Sequence, residues 1–141
     1  MKDHVMIESG RLGRLVVARV KPNEDLITSL EHLCDAHGVE RALVRGAVGS
    51  LLGATLLLPQ RSTSAAITVE GPGVEILSLS GEISRMAATG CASSISGMVA
   101  DPNGRMFAGR LQRGGNRSFI TIEVSLQEWL VDSIIEGPAT P

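Results

Sequence analysis

Turn-forming residues cut this chain into short aliphatic runs, and one run carries well-marked helical spacing. Gly71-Pro72-Gly73, Asp101-Pro102-Asn103-Gly104 and Arg113-Gly114-Gly115-Asn116 are strong turn signals. Between them the apolar residues alternate. Ser118 to Leu126 sets Phe119, Thr121, Glu123 and Ser125 against Ile120, Ile122, Val124 and Leu126, the pattern of a half-buried strand. Leu15–Val20, Val39–Val48, Leu51–Leu58, Ala65–Val69, Val74–Gly81, Cys91–Ala100 and Arg105–Leu111 read as further strands, with Met6-Ile7 as a short edge. In Val74–Gly81, Ile76, Ser78 and Ser80 are expected on one side, and Glu75, Leu77 and Leu79 on the other.

The exception starts at Asn23, a predicted N-cap, with Glu24 and Asp25 placed to complement the positive end of a helix. Leu26, Ile27, Leu30, Leu33, Cys34 and His37 follow at helical spacing and Gly38 supplies a left-handed stop, so a helix is predicted over 24–37. Gln127–Ile135, carrying Trp129 and Leu130, predicts a short final helix, and residues 136–141 a flexible tail. Seven or eight strands and one or two helices, without regular strand–helix alternation, define an α+β domain built on an antiparallel or mixed sheet. At 141 residues the whole chain is expected to be one domain, with its core over about 12–130.

Composition removes several function classes. The core must be aliphatic, because Phe107, Phe119 and Trp129 are the only aromatic residues. Thirteen Lys and Arg against fifteen Asp and Glu give a net charge of -2, which argues against a globally cationic nucleic-acid binder. No apolar run approaches the roughly twenty residues of a membrane helix. The start, Met1-Lys2-Asp3-His4, leads into a polar segment without an apolar signal core, so a cytoplasmic location and no membrane partner are expected.

Chemistry-bearing motifs are scarce. Cys34 and Cys91 are far apart in sequence and form no metal or thiol-redox spacing, so both are expected to be reduced thiols. His4, His32 and His37 are not spaced as metal ligands. There is no Gly-x-Ser-x-Gly elbow, and Gly10-Arg11-Leu12-Gly13 lacks the Lys-Ser/Thr ending of a phosphate loop. No catalytic residue is assigned and no cofactor is expected.

Four segments carry a resemblance: Pro22-Asn23-Glu24-Asp25-Leu26, Gly46-Ala47-Val48-Gly49-Ser50, Gly73 to Gly81, and Asp101 to Leu111. In these, and over about residues 12–126, the chain resembles the plants and prokaryotes conserved domain family, the PPC or PCC domain. The resemblance implies a strongly bent sheet and, in bacterial and archaeal members, a trimer. Plant members place an AT-hook before the domain, but Arg11-Leu12-Gly13-Arg14 lacks the Arg-Gly-Arg-Pro core of that motif. Family members often carry a His-x-His pair and a third histidine suited to a metal; the matching positions here are Ser94, Ser96 and Arg110. Hydroxyls are poor zinc ligands and a guanidinium has no lone pair to offer, so no metal is expected.

That replacement sets the functional expectation. Arg110 supplies a fixed cation with five donors, flanked by Ser94 and Ser96, with Arg45 and Glu75 as further candidates. The leading reading is a homotrimer that binds a small carboxylate or phosphate at a subunit cleft. A DNA-associated regulatory protein is the second reading, since Arg105, Arg110, Arg113 and Arg117 lie within one hairpin and its following turn. A metal-independent isomerase, lyase or hydratase acting on a carboxylated metabolite is the third. In the plainest alternative, Arg110 and Glu75 form a structural ion pair.

Overall fold

The computed structural model describes residues 4–59, 64–86 and 90–138. Six strands and one helix follow in the order β1 (His4–Val20), α1 (Leu26–Ala36), β2 (Arg41–Pro59), β3 (Ser64–Met86), β4 (Gly90–Ala100), β5 (Met106–Leu111) and β6 (Ser118–Pro138). The strands form one antiparallel sheet in the order β1-β6-β2-β3-β4-β5. β5 also returns to β2 through Leu56↔Leu111 and Leu57↔Arg110. Strands β2, β3, β4 and β5 therefore close on one another, while β6 and β1 continue the sheet from the first half of β2.

Closure demands bending, and bending accounts for the difference in strand count. Register shifts interrupt β2 at Val44/Gly46, Gly49/Leu51 and Leu51/Gly53, and β3 at Ile76/Ser78. Each such irregularity turns a long strand without ending it. The two runs read as Val39–Val48 and Leu51–Leu58 are thus one strand, and Ala65–Val69 and Val74–Gly81 are joined through Gly71–Pro72, a cis peptide bond. Arg85 and Met86, where the sequence shows no period, end β3. The bulge at Ile76/Ser78 also corrects the expected facing. Val74 and Ile76 point to the core, but so does Leu79, leaving Ser78 and Ser80 on the outer surface.

The predicted C-terminal helix is absent; Gln127–Ile135 lies within β6. It pairs with β1 from Val20↔Ile122 to His4↔Pro138, including Leu12↔Trp129. Residues 136–138 of the expected tail belong to that strand, while 139–141 lie outside the described residues, as do 60–62 of the Pro59–Ser62 loop and 87–89.

The main helix is shorter than predicted at both ends. Asn23 adopts φ 65, the left-handed conformation asparagine tolerates, and donates its N–H to the Ser118 carbonyl (2.8 Å). The cap falls to Asp25, whose carboxylate accepts from Thr28 N (3.0 Å) and Thr28 Oγ1 (3.2 Å). Gly38, at φ 67, follows the C-cap His37. Leu26, Ile27, Leu30 and Cys34 bury one face of α1 against an all-aliphatic core that includes Val44, Leu51, Leu56, Ile83, Ile95 and Val124. No helix is long and apolar enough to cross a membrane among the described residues.

Candidate functional site

The hairpin turn at Asp101–Gly104 fixes the register of the site. Asp101 Oδ1 accepts from Asn103 N and Arg105 N (both 2.9 Å), and Oδ2 accepts from Arg105 Nε (2.8 Å). From this turn β4 and β5 zip as Ala100↔Met106, Met98↔Ala108 and Ser96↔Arg110. On the other side of β4, Ser96 faces Ser80 and Met98 faces Ser78. Ser80, Ser96 and Arg110 thus form a row across three strands, all exposed on the outer surface. Their sequence neighbours Leu79, Ile95 and Leu111 point inward.

Close approach beneath this row depends on glycine. A Cβ on Gly97 would lie 2.9 Å from the Ser78 carbonyl oxygen, and one on Gly109 2.9 Å from that of Leu57. Gly81, at φ +144, would place a Cβ 2.0 Å from the Ser94 carbonyl oxygen. The result on the outside is a shallow groove of about 370 Å³ lined by Ser78, Ser80, Ser96, Gly97, Met98, Ala108, Gly109 and Arg110.

The structure brings together two of the five candidate residues, Ser96 and Arg110. Ser94 pairs with Glu82 and has no partner on β5, which ends at Leu111. Glu75 lies beyond the β3 bulge, exposed, opposite Ser50 and Ala100. Arg45 follows Val44, the residue at which the β2–β3 ladder opens, and does not line the groove. Within the chain Arg110 and Glu75 form no ion pair among the described residues. Ser78 and Ser80 replace the missing candidates. Their outward direction depends on the bulge at Ile76/Ser78, which strict alternation does not foresee.

The four arginines of the hairpin region do not converge. Arg105 is held by Asp101, and Arg113 by Glu31 of α1, which also accepts from Ser93 Oγ (2.7 Å). Arg110 and Arg117 make no ion pair or side-chain hydrogen bond among the described residues, and the same is true of Arg45. Arg110 is therefore a cation with uncommitted donors beside three hydroxyls.

Other chemistry is weaker. Ser94, Ser96 and Arg110 do not fit a metal, and no group of three or more His, Cys, Asp or Glu able to hold one occurs among the described residues. Burial pushes the Cys91 thiol up, with Glu31 and Asp35 adding to it, and this outweighs Arg85 and Arg113. That is the opposite of an activated nucleophile. A larger cavity of about 560 Å³ lies between α1 and the end of β1. Its charges are mixed and partly committed, Arg19 to Glu123 and Asp25 to the helix cap, so nothing there converges on one ligand.

Strands β2 to β5 thus close on one another with one helix packed against them, and the uncommitted guanidinium of Arg110 lies on the β4–β5 hairpin. The Plants and Prokaryotes Conserved (PCC) domain matches residues 7–130, and the chain belongs to that family. No protein with a curated description matches the sequence. Among solved structures, it is similar to a plant- and prokaryote-conserved (PPC) protein of Pyrococcus horikoshii, with 24% identity, 86% of this chain and 82% of that chain covered, and a TM-score of 0.75. It is also similar to a metal-containing protein of Archaeoglobus fulgidus at 20% identity, with 90% and 87% covered and a TM-score of 0.77. A protein of Bacteroides thetaiotaomicron provisionally named DNA-binding matches at 17% identity, with 84% and 83% covered and a TM-score of 0.70. At these identities the likenesses establish the fold.

Proposed function

We propose that this chain is a binding protein for a small carboxylate or phosphate, held by Arg110 in the groove and enclosed when copies of the chain assemble as a homotrimer. The observation that carries this reading is the contrast within one hairpin region. Arg105 and Arg113 are each held by a carboxylate, while Arg110, between them, is left with its donors free over Ser78, Ser80 and Ser96. A guanidinium matches the geometry of carboxylate and phosphate oxygens, and serine hydroxyls add short donors. Leu77, Met98 and Met106 are exposed on the same region of the surface, an apolar area suited to cover by another copy. Such cover would exclude water from the groove and strengthen the charge-assisted contact.

Equilibrium dialysis with inorganic phosphate and citrate, alongside light scattering, tests this. Arg110→Met should weaken anion binding roughly ten- to hundredfold, the value of a charge-assisted contact of about 1.5–3 kcal/mol, without changing the mass of the assembly. Unchanged affinity would sink the assignment of Arg110; a mass equal to one 14.8 kDa chain would sink the trimer.

A DNA-associated regulatory role is the second reading, supported by the free guanidinium of Arg117 in addition to that of Arg110 and by the provisional naming of structural relatives. Against it stand the net charge of -2, the departure of Arg11-Leu12-Gly13-Arg14 from an AT-hook core and the scarcity of aromatic residues for stacking. Duplex retention that disappears at about 0.15 M salt would dismiss it. For the isomerase, lyase or hydratase reading, Glu75, its acid–base candidate, does not line the groove of its own chain.

A further inference from the structure

We propose that Cys34 and Cys91 form a redox-sensitive pair, which an oxidant of the disulfide or peroxide class closes into a cross-link fastening α1 to β4. The sequence separates the two thiols by 57 positions, but the fold brings their surroundings together. On β4, Cys91 and Ser93 share the face turned toward α1, and both engage the same helical residue. Ser93 Oγ donates to the Glu31 carboxylate (2.7 Å), and the Cys91 thiol donates to the Glu31 carbonyl oxygen (3.6 Å). Cys34 lies three residues further along α1, on the face that Glu31 shares, and is fully buried. Helical side chains tilt back toward the N-terminus, so Cys34 leans over the turn that Cys91 touches. Their electrostatic coupling agrees with this placement: burial first, and then the Cys91 charge, push Cys34 up to about 11.

Exposure sets the order of events. Cys91 is half-buried and Cys34 is buried, so Cys91 meets the oxidant first. With oxidised glutathione, the Cys91 thiolate attacks one sulfur, forming a mixed disulfide and releasing one glutathione thiolate. The Cys34 thiolate then displaces the second glutathione from Cys91. Two protein thiols give up two electrons and two protons, and the oxidant leaves as two glutathione thiols. Because burial raises both thiols, the reaction is slow at neutral pH and accelerates as the pH rises toward their pKa values.

The test treats the full chain with oxidised glutathione at mildly alkaline pH, blocks residual thiols with iodoacetamide and maps the peptides without reduction. The expected result is the loss of both free thiols, a linked Cys34–Cys91 peptide, and faster closure in the folded chain than in urea. Cys91→Ser should retain an unmodified Cys34 in the folded state, and Cys34→Ala should stop at the mixed disulfide on Cys91. Only intermolecular dimers, separate glutathione adducts on both residues, or closure no faster than in urea would overturn the proposal. The wild-type measurement stands even if either variant fails to fold.

Discussion

Asn116 is the residue whose removal the fold should tolerate least for its size. It is fully buried and joins three elements. Its Oδ1 accepts from Thr55 N (3.2 Å), and its Nδ2 donates to the carbonyls of Thr55 (3.2 Å) and Gln112 (2.9 Å). Its own N–H donates to Asp25 Oδ1 (3.0 Å), and its carbonyl accepts from Leu26 N (2.8 Å) at the start of α1. Asn116→Ala removes the three side-chain bonds. The Thr55 carbonyl keeps Gln112 N and the Gln112 carbonyl keeps Gly115 N, so the group left orphaned is the Thr55 N–H. An orphaned buried donor costs about 1–3 kcal/mol and each lost neutral bond about 0.5–1.5, giving a destabilisation of about 3 kcal/mol. For a chain this long that corresponds to roughly 9 °C in Tm. Thermal and urea unfolding followed by circular dichroism, at matched protein concentration so that assembly contributes equally, measure it. Asn116→Asp should be worse, because it presents an acceptor to two carbonyls. A loss below about 1 kcal/mol for Asn116→Ala would refute the argument, showing that this clamp does not hold the turn after β5 to β2.

Three further outcomes follow from named contacts. Asp25→Ala removes the helix cap and the acceptor of Asn116 N, and should cost about 1–2 kcal/mol in urea unfolding. Hydrogen bonds from the Arg14 guanidinium and Arg14 N–H hold Glu128 below the usual carboxylate range; at Asp101 burial pushes the carboxyl up, but bonds from Arg105 and Asn103 outweigh it. Both pKa values are lowered on folding, so their contribution is complete above the unfolded values near pH 4 and is lost as the pH falls through the folded ones. The urea midpoint should therefore drop below about pH 4, and Glu128→Gln should show a shallower drop. Gly81→Ala should break the β3–β4 pairing, since its Cβ meets the Ser94 carbonyl; Gly38→Ala, with open space but φ 67, should cost only about 1–2 kcal/mol.

What was legible in the sequence was local. Leu26, Leu30 and Cys34 declare α1 because their spacing reports one buried face, and Asp101–Gly104 declares the turn from which the Ser96↔Arg110 register follows by counting. The start of α1 was displaced because a long-range bond, Asn23 N–H to the Ser118 carbonyl, recruits Asn23 to the left-handed region. Gln127–Ile135 is a strand because β1 pairs with it along its length, and pairing of that kind overrides weak local preference. Ser78 joined the site through the bulge at Ile76/Ser78, which turns it outward, while Glu75, opposite Ala100 rather than Ser96, lies too far along β3 to line the groove. Glu31 was hidden for the opposite reason: helical spacing marks its neighbours as core, but only the fold shows Arg113 and Ser93 arriving to satisfy a buried carboxylate.

A crystal structure of the assembled protein grown with selenate, whose anomalous signal locates the anion, tests the central claim most directly. The account predicts an anion within hydrogen-bond distance of the Arg110 guanidinium and the Ser96 hydroxyl, at a junction between copies. Arg110 bound to a carboxylate of its own assembly, Glu75 of a neighbouring copy being the first suspect, with no anion in the groove, would contradict it.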